Sequence, residues 1–138
     1  MKTVVYNLPS VTKFVGDNIP GNDSFNPTDP SIGLLKDGKL IAGVVFNNYC
    51  GSSISMHVAA IEKGWLNKEF LRACFRYPFV QLKVNRITAL VRTDNPEALR
   101  FDEHLGFKHE GIIRRGDDDG CDLYLLGMLP EECKWKDI

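Results

Sequence analysis

The chain has 138 residues, a formal net charge of −1, 43% apolar and 25% charged residues. That composition suits one globular domain over residues 1–138 and a single core. It offers no sequence-wide attraction for nucleic acid or anionic membrane, and no apolar run approaches the about 20 residues that cross a bilayer.

Met1–Asn7 reads as a short first strand, without the apolar core and cleavage site of a signal peptide. Pro9–Gly16 suits a short helix, with Ser10 near its start. Gly16–Ser31 is rich in Gly, Asn, Asp and Pro and is expected to be a loop. Ile32–Lys36 and Leu40–Asn47 flank Asp37-Gly38, a pair that favours a tight hairpin because both turn positions need positive φ. Asn48–Ser52 forms a second turn. Ser53–Ala59 alternates, with Ile54, Met56 and Val58 on one face and Ser53, Ser55 and His57 on the other.

A helix is expected to start near Asn67, a good N-cap, and to bury Phe70, Leu71, Cys74 and Phe75. Pro78 kinks or ends it, and Phe79–Lys83 continues as a second short segment. Arg86–Val91 is a strand whose apolar run predicts burial on both faces. Asp94–Leu105 is the next helix. Asp94 or Asn95 caps it, Pro96 fits its first turn, and Ala98, Phe101 and Leu105 share a stripe. Gly106 suits the left-handed residue that stops it, with Phe107 folding back. Strands His109–Arg115 and Cys121–Met128 follow, joined by the turn Asp117–Gly120. Leu129–Ile138 is a tail in which Trp135 packs. The fold class is therefore α+β: a mixed, mostly antiparallel sheet with hairpins first and then a β-α-β unit.

Cys50, Cys74, Cys121 and Cys133 form no C-x-x-C pair and have no histidine at ligand spacing. No metal site and no disulfide framework is expected, and the thiols read as small apolar residues in a reducing cytoplasm. Asp117–Asp119 resembles half a calcium loop but lacks the glutamate that completes one, so a solvated turn is expected.

Chemistry is sought first where strand Ser53–Ala59 runs through loop Ala60–Leu66 to the helix start at Asn67. Unpaired backbone N–H groups and the helix dipole converge there, and Lys63, Lys68 and Arg72 add positive charge. An ordinary strand-to-helix turn with solvated lysines explains the same residues.

The order of elements, with Asn95…Ala98…Phe101…Leu105-Gly106-Phe107, resembles the GNAT superfamily of N-acetyltransferases. The resemblance spans Ile32 to Met128. It implies a GNAT-like sheet in which the parallel strands Ser53–Ala59 and Arg86–Val91 splay apart and hold acetyl-CoA, the cosubstrate, between them. By resemblance, the loop through Ala60, Lys63, Gly64, Trp65, Leu66, Asn67 and Lys68 cradles the pyrophosphate. Val58 offers backbone groups to the pantetheine arm, and Asn95, Arg100 and Phe101 line the other side. Two departures stand out. The usual glycine-rich loop here reads Glu62-Lys63-Gly64-Trp65-Leu66-Asn67. The tyrosine that many members carry seven residues after the asparagine is here Asp102, which could protonate the leaving thiolate only with a raised pKa.

The resemblance implies direct attack of an amine on the thioester, with the oxyanion held by a backbone N–H near Val58. His57 is the first candidate for the base, at the end of the central strand. It also reads, with slightly more weight, as a packed or hydrogen-bonded structural histidine, and Glu62, Glu103 and His104 are alternatives. The leading expectation is a cytoplasmic acetyl-CoA-dependent N-acetyltransferase acting on an amine of a small molecule or protein. The alternative is a protein-interaction module of the same fold that has lost catalysis. Transfer to an oxygen acceptor, or from another acyl-CoA, is a third option. Members of the superfamily commonly dimerise through a sheet edge, which extends the expectation to a homodimer. The sequence identifies no acceptor: Asp17, Asp23 and Asp29 are too spread to make an acidic cage.

Overall fold

A computed structural model describes residues 1–19, 25–62 and 64–138. Seven strands form one sheet in the order β1-β2-β3-β4-β5-β7-β6. They are β1 (Lys2–Tyr6), β2 (Ser31–Lys36), β3 (Lys39–Asn47), β4 (Ser53–Ala60), β5 (Arg86–Arg92), β6 (Lys108–Ile113) and β7 (Leu123–Met128). Every neighbouring pair is antiparallel except β4 and β5, which run parallel. The helices are α1 (Pro9–Asn18), α2 (Lys68–Arg76) and α3 (Pro96–Leu105). Among the described residues, no helix is long and apolar enough to cross a membrane.

The β2–β3 hairpin turns through Asp37 (φ 51°) and Gly38 (φ 83°), the two positive angles that the Asp-Gly pair predicts. Helix α1 continues to Asn18, three residues into the stretch read as loop. It can do so because Gly33 and Gly43 are cross-strand partners beneath it. A Cβ on either would come within 3 Å of the Val11 or Val15 side chain, so only glycine lets the helix lie this close to the sheet. Val11, Val15, Val45 and Ala59 form the small core on this face.

The larger core lies on the other face, under α2 and α3, around Phe46, Phe70, Phe75, Ile87 and Leu126. Asn67 caps α2 as expected, its Oδ1 accepting the Phe70 N–H at 2.9 Å. Helix α2 ends at Arg76, two residues before Pro78, and a second short segment follows, as the sequence predicts. The backbone widens into one π-helical turn, Tyr77–Gln81, in which Leu82 N–H bonds Tyr77 O at 3.0 Å. On α3, Asn95 is the cap and Gly106, at φ 113°, the stop. Trp135 docks the tail by donating its indole N–H to Leu105 O at 2.7 Å.

One expectation about burial fails. β5 is not buried on both faces: Ile87, Ala89 and Val91 are, but Leu90 is 39% exposed. Ile87, Ala89 and Val91 face the larger core and Leu90 points the other way, and Ala89, Leu90, Val91 and Arg92 all line an open cavity. An apolar run therefore marked a cavity wall rather than a second packed layer.

Candidate active site

The site grows from the β4–β5 junction. The strands pair only from Ser53↔Arg86 to Ser55↔Thr88 and then part. On its other side β4 stays paired with β3 out to Ala42↔Ala60. Ile61 N–H bonds Ile41 O at 3.0 Å. The two-residue period of a strand therefore turns the backbone N–H and C=O of Val58 away from β3 and into the gap. The gap opens into a cavity of about 730 Å³.

The cavity gathers much of the residue set that the sequence marked out. His57, Val58 and Ala60 come from β4, Trp65 from the following loop, and Asn95, Phe101 and Asp102 from α3 and its cap. Gly64, Leu66, Asn67, Lys68 and Arg100 are not in its wall. Asn67 and Lys68 sit at the start of α2, where the backbone N–H groups of the first turn are directed outward. Gly64 takes a positive φ of 88°, and its carbonyl accepts from Lys2 Nζ at 2.7 Å. Lys63 lies outside the described residues, as does Asp23.

His57 faces the α1 side of the sheet. Its Nε2 is 2.8 Å from Asn47 Oδ1, and its ring centroid lies 4.9 Å from that of Phe25. Burial pushes its pKa down to about 4, with the charge of Asp29 opposing. At neutral pH the ring is therefore uncharged, with one nitrogen carrying a lone pair. The packed, hydrogen-bonded reading and the cavity-lining position both hold for this residue.

Asp102 shows the opposite shift from the same cause. Burial lifts its carboxyl to about 7. The condition that the sequence left open for this aspartate, a raised pKa, is thus met. A weak base and a carboxyl that keeps its proton near neutrality share one cavity.

Sequence reasoning missed the polar rim. Arg92, at the end of β5, donates to Asp94 (3.0 Å), Asp117 (2.6 Å) and Asp119 (2.8 Å). Its guanidinium ties the β6–β7 turn to the cavity, whose wall includes Arg92, Gly116 and Asp117. Asp117 and Asp119 of that turn are therefore ion-paired, not merely solvated. Among the described residues, no group of three or more acidic, histidine or cysteine side chains is placed to hold a metal. Asn47, Phe25 and, at the end of α1, Asn18 and Ile19 also went unmarked. None of them carries a local motif; only the fold brings Asn18 and Ile19 to the cavity wall and Asn47 and Phe25 to His57.

No protein-family model and no curated protein sequence matches the chain. Solved structures do. An acetyltransferase of the GNAT family from Bacillus anthracis is 18% identical, covering 94% of this chain and 96% of that one with a TM-score of 0.67. Mutant forms of the spermidine/spermine N-acetyltransferase SpeG from Vibrio cholerae are 14% identical over 95% of this chain and 96% of that one, TM-score 0.70. A putative acetyltransferase from T. thermophilus is 21% identical over 78% of this chain, which spans 62% of that longer protein, TM-score 0.66. At these identities the likeness is one of fold: the chain has the GNAT fold, in the mixed, splayed form that the sequence resemblance implies.

Proposed function

We propose that the protein is a GNAT-superfamily N-acetyltransferase that moves the acetyl group of acetyl-CoA to an amine. The observation that carries this reading is the parting of β4 and β5 beyond Ser55 and Thr88. It turns the Val58 backbone toward a cavity that also contains His57 and Asp102. The likeness in fold to acetyltransferases supports it.

The residues present fit the cosubstrate. Val58 has backbone groups free for the pantetheine amides, and Trp65, Ala98 and Phe101 give the arm an apolar wall. The pyrophosphate would meet the first N–H groups of α2 beside Asn67 and Lys68, with Lys63 and Gly64 in the preceding loop. The loop has one glycine, at positive φ, and Trp65 anchors it on Phe101.

In the reaction, the acceptor nitrogen gives up a proton to His57 and forms a bond to the thioester carbon. Charge gathers on the carbonyl oxygen, where the Val58 N–H can stabilise it. The C–S bond then breaks, and the thiolate takes the proton of the Asp102 carboxyl. A carboxyl with a pKa near 7 holds that proton over part of the neutral range. The acceptor is an amine of a small molecule or protein, reaching the cavity between the end of α1 and the Gly116–Asp117 turn.

The test is transfer of radiolabelled acetyl from acetyl-CoA to a panel of small amines and peptides. The proposal expects product that depends on Asp102 and His57. Binding of CoA without transfer to any acceptor, with a protein partner co-purifying, would favour the interaction-module alternative.

A further inference from the structure

We propose that Asn47 is a positioning residue, which holds His57 as the Nε2–H tautomer and so makes Nδ1 the atom that takes the acceptor's proton. The catalytic half of this rests on the acetyl-transfer reading; the tautomer half does not.

The two residues meet because of strand register. Asn47 pairs with Ser55 and His57 with Val45, so their side chains are diagonal neighbours on one face of the β3–β4 ladder. Asn47 Oδ1 lies 2.8 Å from His57 Nε2. The next residue bonds the same atom of the amide. Asn48 Nδ2 lies 3.3 Å from the same Asn47 Oδ1. Turning the Asn47 amide alone would set two NH₂ groups against each other, and only turning the Asn48 amide with it would keep their bond. With both amides as placed, the oxygen accepts from both sides and Nε2 carries the hydrogen.

A neutral imidazole has only one N–H, so Nδ1 is left with the lone pair. Among the described residues, no hydrogen-bond partner occupies Nδ1. Burial keeps the ring neutral at pH 7. The charge that acts on it is Asp29, from the segment before β2, and the other charged groups of the shared cavity wall are Arg92, Glu97, Asp102 and Asp117. The Phe25 ring covers it from the side. When Nδ1 accepts the proton, the acceptor nitrogen closes its bond to carbon and sulfur leaves with the Asp102 proton. The Asn47 oxygen keeps its bond to Nε2–H throughout, and that bond strengthens as the ring becomes charged. Left free to exchange tautomers, the ring would present an N–H to the acceptor for part of the time.

The experiment is long-range ¹H–¹⁵N NMR of ¹⁵N-histidine-labelled protein, titrated in pH, for wild type, Asn47→Leu and Asn47→Asp. Wild-type His57 is expected as the Nε2–H form at pH 7. Asn47→Leu should give a tautomer mixture. Asn47→Asp should raise the His57 pKa by at least about one unit, because a carboxylate then faces Nε2–H. Wild-type His57 in the Nδ1–H form overturns the proposal whether or not the protein acetylates anything, and needs no variant to fold. In turnover, Asn47→Leu should lower kcat about tenfold or more with the KM for acetyl-CoA unchanged. Asn47→Asp should move the low-pH limb of kcat upward. Unaltered pH profiles in both variants of an active protein overturn the catalytic half. An Nε2–H tautomer in a protein that acetylates no amine supports the tautomer half, and the failure then lies with the acetyl-transfer reading.

Discussion

The rings of Trp65 and Phe101 lie 4.4 Å apart, centroid to centroid, at 51° to one another. This contact joins the loop before α2 to the cavity face of α3. It explains how a loop with a single glycine and a bulky indole keeps its place: the indole packs against the larger core and draws the loop to the helix. Trp65→Ala should destabilise the fold by about 1–3 kcal/mol, less than a fully buried tryptophan because Trp65 is half-buried. It should also weaken acetyl-CoA binding, since the loop loses its anchor. Trp65→Phe should recover most of both. Urea denaturation and calorimetry check the two effects separately.

Much of this was legible in the sequence, for identifiable reasons. The Asp37-Gly38 turn, the Asn67 and Asn95 caps and the Gly106 stop rest on local backbone demands that neighbouring residues reveal. The splay of β4 from β5 is different. It came from resemblance, because nothing in Ser53–Ala60 alone says where pairing stops. The Arg92 cluster was hidden by distance: Asp117 is 25 residues along the chain, and an acidic turn looks solvated until the arginine is placed beside it. Leu90 misled because an apolar residue in a cavity wall and one in a core look alike in a pattern of hydrophobicity. The raised pKa that Asp102 needs was not legible because burial is a property of the fold.

Asp102 makes a signed prediction about pH. Its carboxyl titrates near 7 in the folded protein against an ordinary value of 3.8. Between those values the folded state holds a proton that the unfolded state has released. Stability should therefore fall as pH rises from about 4 through about 7. Asp102→Asn removes the effect and should be more stable than wild type by about 1–2 kcal/mol at pH 8, a figure discounted for the partial exposure of the group, with little difference at pH 4. If Asp102 is the acid, wild-type kcat should decline above pH 7, and the variant should lose both activity and that decline. Denaturation at two pH values and a kcat profile check this.

Arg92 concentrates three carboxylates on one guanidinium. Hydrogen bonds from Arg92 hold Asp94 and Asp119 below the ordinary carboxylate range. Arg92→Leu should leave like charges facing one another and free the Gly116–Asp117 turn from β5. The melting temperature should drop at pH 7, and the difference from wild type should shrink as pH falls below 4 and the carboxylates protonate. The KM for the acceptor should rise more than that for acetyl-CoA, because the turn borders the acceptor end of the cavity. Thermal melts across pH and steady-state kinetics check these outcomes.

The two ends of α3 set the cavity wall. Asn95 Oδ1 accepts the Ala98 N–H at 3.2 Å, and the Gly106 N–H bonds the carbonyls of Asp102 and Glu103. Asn95→Ala should cost about 1 kcal/mol, and Asn95→Asp should restore most of it. Gly106→Ala places a Cβ at φ 113° and should cost about 1–3 kcal/mol. Chemical denaturation measures both.

The most direct test of the central claim is a crystal structure of the protein grown with saturating CoA. The expected result is the pantetheine arm between β4 and β5, hydrogen-bonded to the Val58 backbone, with its thiol near Asp102 and its pyrophosphate at the start of α2. CoA bound elsewhere, or the gap between β4 and β5 empty at saturating CoA, would contradict it.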